Sequence, residues 1–166
     1  MKTLIFKVPF LKLSIKSKEK IVDLICYAFI LLFLYAGSSK LFDYANFKLQ
    51  LSKSPITTHF ASMLSWLVPS IEIVISILLL IRRTIKISLY ASFALMIVFT
   101  SYVIVILNFS DFIPCSCGGV LQNMDWDQHL IFNVFFTIMA ATGILVQSGI
   151  PRMRGGQNYN RLNSLL

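Results

Sequence analysis

Four apolar runs, each long enough to cross a lipid bilayer, restrict this chain more than any other feature. They are residues 21–42 (IVDLICYAFILLFLYAGSSKLF), 61–81 (ASMLSWLVPSIEIVISILLLI), 86–108 (KISLYASFALMIVFTSYVIVILN) and 129–148 (HLIFNVFFTIMAATGILVQS). A hydrocarbon core about 30 Å thick takes roughly 20 residues of α-helix at about 1.5 Å each. Backbone groups in lipid must bond within their own segment, and the runs lack the apolar–polar alternation of a porin strand, so each predicts a helix. Composition agrees: 57% of the 166 residues are hydrophobic and 13% are charged, with a mean hydropathy of +0.76, whereas soluble domains run at roughly 45–50% and about 25%. A soluble domain is excluded, and so is disorder, which needs low hydrophobicity. With 7 Gly, 5 Pro and 3 Cys, collagen and disulfide-knot classes are excluded too. The expected fold is all-α: a polytopic four-helix transmembrane bundle over residues 21–148, preceded by a basic arm at 1–20 and followed by a tail at 149–166.

The net charge of +8 would point a soluble protein toward nucleic acid, but here its distribution carries the information and no nucleic-acid partner is expected. Lys2, Lys7, Lys12, Lys16, Lys18 and Lys20 precede the first run. Arg82, Arg83 and Lys86 lie between the second and third, and Arg152, Arg154 and Arg161 lie in the tail. The other side of the bundle has only Lys40, Lys48 and Lys53. Cytoplasmic loops carry the Lys/Arg excess, so both termini are predicted to be cytoplasmic. A cleaved signal at Ala36-Gly37-Ser38 is disfavoured, because the basic arm is too long and the apolar run too extended. The arm interleaves Leu, Ile and Phe with lysines and is expected to lie on the anionic inner leaflet as a topology anchor. Trp66 and Trp126 near the predicted interfaces read as an aromatic belt.

Two outward connections remain as room for chemistry, residues 43–60 and 109–128. The first (DYANFKLQLSKSPITTHF) predicts a short interfacial helix before Pro55. The second (FSDFIPCSCGGVLQNMDWDQ) carries Cys115 and Cys117. Outside the cytoplasm disulfides form and persist. Closing one across a single intervening residue requires a bend, because an extended segment puts the Cα atoms near the upper limit of about 6.8 Å. Pro114 and Gly118-Gly119 supply it. So small a ring removes little unfolded-state entropy, and a strained ring is easily reduced, which suits exchange better than stabilisation.

Asp111, Asp125 and Asp127 would raise a thiol pKa nearby. Against them, Asp125 and Gln128 resemble a capping box opening the fourth helix, whose N-terminal dipole lowers the pKa of a thiol folded over it. His129 in the first turn is a candidate to take or return a proton. Three readings of the loop stay open. One is a redox pair and one is a structural or incidental pair. The third is a soft Cu(I)-type site in which Met124 and His129 join the two thiolates, although no metal is assigned. Cys26, near the predicted cytoplasmic face, reads as a small buried apolar residue.

Ionisable groups inside spans are costly and therefore informative. Glu72 is the only carboxylate well inside a span, and Lys40 lies at the outer end of the first. Both belong to the outer half of the bundle, where a pair can either fix helix packing or relay protons. Asn133 falls one helical turn after His129 on the same face. Thr100 and Tyr102 add hydroxyls that in membrane helices commonly bond to neighbouring helices, and Gly37 with Ser38 and Ser39 favours close helix approach.

Taken in order, Ala36-Gly37-x-x-Lys40-Leu41, Pro69-x-x-Glu72 and the Cys115-x-Cys117-Gly118 loop before the last helix resemble the MauE/DoxX family of redox-associated membrane proteins. The resemblance covers nearly the whole chain, with Gly118-Gly119 in place of an aromatic residue before a glycine. It implies a four-helix protein of the bacterial cytoplasmic membrane, linked to maturation of disulfide-containing periplasmic proteins alongside a thioredoxin-like partner; relatives are tied to quinone-coupled sulfur oxidation. It also implies Cys115 and Cys117 as the redox pair, with Lys40 and Glu72 as family-like positions. The bundle resembles membrane thiol oxidoreductases that reduce quinone as well, but those use CxxC, and here there is only CxC. With no second cysteine pair, electrons leaving the loop need a quinone or another protein.

The expectation is an inner-membrane accessory of extracytoplasmic thiol–disulfide exchange, acting through Cys115 and Cys117 with help from His129. Lys40, Glu72 and Asn133 would shape the cavity beneath. As an enzyme it would be a thiol–disulfide oxidoreductase, quinone-linked or not. Its partners are a periplasmic thioredoxin-like protein or a maturing client. The alternatives are a non-enzymatic assembly or scaffold subunit of a larger membrane complex, and Cu(I) handling at the loop.

Overall fold

The computed structural model describes residues 14–53, 57–109 and 126–150. Five helices follow in order: α1 (Ile15–Phe42), α2 (Tyr44–Lys53), α3 (Ala61–Leu80), α4 (Ile85–Phe109) and α5 (Trp126–Ser148), with one 3-10 turn at Thr58–Phe60 leading into α3. There is no strand among the described residues. Among the described residues four segments are long and apolar enough to cross a membrane: Ile15–Phe42, Thr58–Leu80, Ile85–Asn108 and Asp127–Ser148. This is a multi-pass, all-helical membrane protein. Two spans begin earlier than their apolar runs. α1 takes in residues 15–20 (IKSKEK), in which Lys and Glu are strong helix formers, and α5 takes in the polar turn at 126–128. At 28 residues, α1 is about 42 Å long. It exceeds a hydrocarbon core of about 30 Å, so its lysine-bearing first turns reach past the apolar slab.

Each long helix shows one stripe to its neighbours and the rest to lipid. On α1 the buried stripe is Val22, Ile25, Cys26, Phe29, Phe33, Ala36, Gly37 and Lys40, at spacings of three and four. On its opposite side Leu24 and Leu31 are 70% and 71% exposed, the signature of a lipid-facing surface. α1 packs on α3 and α5, and α4 packs on α5. Phe29 anchors the centre, with ring centroids 5.4 Å from Phe33 and 5.4 Å from Phe136, the latter edge-on at 78°. Ser88 and Ser92 are fully buried on α4. Their hydroxyls donate to the carbonyls of Thr84 (2.9 Å) and Ser88 (2.8 Å), which satisfies them in apolar surroundings.

Consecutive spans run antiparallel. Gly143 near the end of α5 lies against Ile25 near the start of α1 and Leu89 near the start of α4, while Lys40 near the end of α1 meets Glu72 in α3. The end of α1, the start of α3, the end of α4 and the start of α5 therefore share one end of the bundle. α2 caps this end by turning Phe47 and Leu51 onto Ala61, with Leu64 and Val68 behind. Thr57 donates its hydroxyl to the Leu51 carbonyl (2.6 Å) and Ser65 donates to the Tyr44 hydroxyl (3.2 Å), tying α2 to α3. The Tyr44 ring also packs on Trp66 at 5.4 Å.

Candidate functional site

A cavity of about 230 Å³ lies at the end of the bundle capped by α2, with walls from α1, α2, α3, α4 and α5. Its construction begins at Gly37. A Cβ there would meet Ile73 Cγ1 at 3.1 Å and the Pro69 carbonyl oxygen at 3.2 Å, so only glycine lets α1 approach α3 this closely. Pro69 lacks an N–H and leaves the carbonyl of residue 65 without its usual helix donor, and Glu72 follows on the same face one turn later. Lys40, one turn after Gly37, then faces Glu72 across the contact.

The Lys40 ammonium donates a hydrogen bond to Glu72 Oε1 and forms an ion pair with it. Glu72 is 0% exposed and Lys40 is 8% exposed, so the pair is held out of solvent and lipid. The ammonium also lies 5.3 Å from the ring centroid of Phe99 and 5.9 Å from that of Phe47, within cation–π range. The Glu72 carbonyl accepts from Ser76 Oγ at 2.9 Å.

α5 contributes His129, half-buried, and Asn133, 4% exposed, both lining the cavity. Among the described residues, Glu72 Oε2 and Asn133 Nδ2 are buried without a hydrogen-bond partner. The other walls are apolar, with Leu32, Phe33, Val68, Met96, Val103 and Phe132 prominent. The result is an apolar chamber with a few convergent polar groups, the usual form of a small-molecule site.

The structure thus brings Lys40, Glu72, His129 and Asn133 around one cavity. Cys115 and Cys117 lie outside the described residues, as do Met124 and the capping residue Asp125. α4 and α5, which flank that segment in the chain, both line the cavity. Tyr102 lines it too. Thr100 donates to the Met96 carbonyl of its own helix (2.7 Å) and lies 3.4 Å from the Thr137 hydroxyl of α5. Cys26 is a free, buried thiol in the core at the other end of the bundle, beside a cavity of about 70 Å³ lined also by Asp23 and Arg82. No three His, Cys, Asp or Glu side chains converge on a metal-sized site among the described residues.

Phe47, Leu51 and Thr57, which cover the cavity, and Phe99, beneath the ammonium, were not singled out from the sequence. The spacing of Phe47 and Leu51, four apart in a polar helix, was the available signal. Phe99 gave none, because an aromatic residue in an apolar span looks the same whether it faces lipid or a neighbour.

Against known protein families, the model described as Methylamine utilisation protein MauE matches residues 18–146. The chain belongs to the MauE family. The match takes in the second and third spans, nearly all of the first and fourth, and the segment between α4 and α5. Membership suggests a membrane accessory in a redox or methylamine-utilisation context. No curated protein and no solved structure matches the chain.

Proposed function

We propose that this MauE-family chain is an accessory of thiol–disulfide exchange in the bacterial cytoplasmic membrane. Cys115 and Cys117 exchange a disulfide with a thioredoxin-like protein or a maturing client on the periplasmic side. One observation carries the reading: the segment bearing both cysteines joins α4 to α5, which both line the cavity holding Lys40, Glu72, His129 and Asn133. The distribution of Lys and Arg supports cytoplasmic termini and a periplasmic cysteine loop.

In the exchange, a thiolate of the pair attacks a partner disulfide to form a mixed disulfide and release one partner thiolate. The second loop cysteine attacks the mixed disulfide, which frees the partner as a dithiol and leaves Cys115 and Cys117 oxidised. His129 is the group available to accept the thiol proton and return it to the leaving thiolate. Two electrons from another protein must then enter the loop to restore its dithiol; run in reverse, the loop disulfide oxidises a partner dithiol and two electrons then leave the loop for a quinone or another protein. The apolar walls and the Asn133 amide suit a quinone ring, whose chemistry would be two-electron acceptance.

Maleimide gel-shift labelling of intact, right-side-out cells tests the reading on wild type, Cys115→Ser and Cys117→Ser chains. The expected result is labelling from outside only after mild reduction. Replacement of Cys117 is expected to shift the disulfide state of partner or client; an unchanged state in Cys117→Ser would overturn the proposal.

A further inference from the structure

The outward side of α4 is built differently from the lipid-facing sides of α1 and α5. Tyr90, Ala94, Ile97, Ser101, Ile104 and Asn108 are all exposed and follow one another at alternating intervals of four and three, so they form one continuous stripe along the helix. At intervals of seven the stripe is small or polar, at Ala94, Ser101 and Asn108. The outward sides of α1 and α5 instead present large side chains, Leu24, Tyr27 and Leu31 on one and Ile131, Phe135 and Ile138 on the other.

Hydrocarbon gives the polar groups of this stripe nothing to bond. Ser101 lies about 7 Å along the axis from the middle of the span Ile85–Asn108, well within an apolar slab about 30 Å thick. Its hydroxyl makes no hydrogen bond among the described residues, whereas Ser70 on the outward side of α3 donates to the Trp66 carbonyl at 2.7 Å. Asn108 gives one amide hydrogen to the Ile104 carbonyl at 2.7 Å, which leaves its Oδ1 and its second hydrogen to be satisfied from outside the helix. Small residues that let two backbones approach, and polar residues that bond across the gap, are the composition of a contact between membrane helices.

Symmetry selects the occupant. Every copy of this chain carries the same distribution of Lys and Arg and so inserts with the same orientation. Two α4 helices are then parallel, and a two-fold axis along the membrane normal sets each residue of the stripe against its own counterpart. No charged residue lies between Tyr90 and Asn108, so nothing on the stripe repels its copy. A hydroxyl and a carboxamide each both donate and accept, which makes Ser101 and Asn108 self-complementary. The alternation of four and three is the spacing of two parallel helices in a left-handed crossing.

We propose that the outward face of α4 is the contact of a parallel homodimer in the membrane. Ala94 meets Ala94 at the point of closest approach, and Ser101 and Asn108 bond to their counterparts across the two-fold axis. The inference rests on α4 alone and is independent of the cysteine reading.

The test is Förster energy transfer between full chains carrying a donor or an acceptor fluorophore at the C-terminal residue, reconstituted in phosphatidylcholine–phosphatidylglycerol vesicles over a series of protein-to-lipid ratios. Wild type is expected to reach a plateau of transfer with the stoichiometry of two chains. Asn108→Leu is expected to weaken the dimer by about fivefold, and Ala94→Phe to abolish it; Leu31→Ala, on the outward side of α1, is expected to leave it unchanged. Position is checked in a chain carrying Cys26→Ser, Cys115→Ser and Cys117→Ser, in which oxidation is expected to crosslink Ser101→Cys chains to one another and to leave Ile138→Cys chains monomeric. That background also separates this reading from the redox one, since dimerisation is expected to survive loss of all three native thiols. Transfer no greater than that of randomly placed chains, a dimer untouched by both α4 variants, or crosslinking through Ile138→Cys in place of Ser101→Cys would overturn the proposal. Ser101→Cys chains that crosslink in native membranes only to a different protein would give this face to another partner and overturn it too.

Discussion

Lys40→Met tests whether the bundle depends on its buried ion pair. Methionine keeps the length of the lysine side chain and removes the ammonium. Glu72, 0% exposed, then loses its counter-charge and the hydrogen bond to Oε1 while its other oxygen already has no partner among the described residues. Breaking one side of a buried pair costs about 3–5 kcal/mol. At about 1.4 kcal/mol per factor of ten, the ratio of folded to unfolded chain should fall by roughly 10²- to 10⁴-fold. Removing the carboxylate instead, as Glu72→Leu, should cost less, because the remaining ammonium keeps the faces of Phe99 and Phe47 and lies near the end of α1, where its stem can carry it outward. The double variant replaces the pair with apolar side chains of similar volume and should return to within about 1 kcal/mol of wild type, giving a coupling energy near 3 kcal/mol. The assay is reversible unfolding in mixed micelles by titration with a denaturing detergent, followed by far-UV circular dichroism. A Lys40→Met chain within about 1 kcal/mol of wild type, or a double variant that simply sums the two single losses, would refute the reasoning.

Two further perturbations use the same assay. Gly37→Ala should cost about 1–3 kcal/mol, because the new Cβ meets Ile73 Cγ1 at 3.1 Å and the Pro69 carbonyl oxygen at 3.2 Å, and a helix backbone oxygen yields less readily than the end of a side chain. Gly143→Ala should cost less, since its contacts at 3.2–3.3 Å are the ends of the Ile25 and Leu89 side chains. Equal losses at the two positions would show that the α1–α3 approach is not set at Gly37. Arg82→Ala should change stability by less than about 1 kcal/mol, because its 3.3 Å contact with Asp23 involves a side chain 77% exposed; a larger loss would mean that this pair holds the bundle's other end.

The spans were readable because lipid leaves an apolar run of twenty residues only one backbone solution. The run at 61–81 emerges as α3 and that at 86–108 as α4, each within a residue at either end. The starts of α1 and α5 were not readable from apolarity, since their first turns are polar and helical for reasons of propensity and continuity alone. The short helix expected before Pro55 is α2, but that it caps a cavity depends on Phe47 and Leu51 finding α3. The cysteine loop was the strongest chemical signal in the chain. It lies outside the described residues, so its geometry adds nothing to the sequence argument.

Local composition determined how many spans there are, where the apolar stretch of each lies, and which residues were costly enough in lipid to need a reason. Transfer from water to hydrocarbon is settled residue by residue along the chain, so a linear reading suffices. Which costly residues meet is a matter of helix rotation and separation, set by the packing of every helix on its neighbours. Gly37 against Pro69 brings Lys40 to Glu72, and the packing of α5 on α1 and α4 carries Asn133 into the same chamber. Gly37 and Pro69, like Lys40 and Glu72, are 32 positions apart, and only the assembled bundle brings them together.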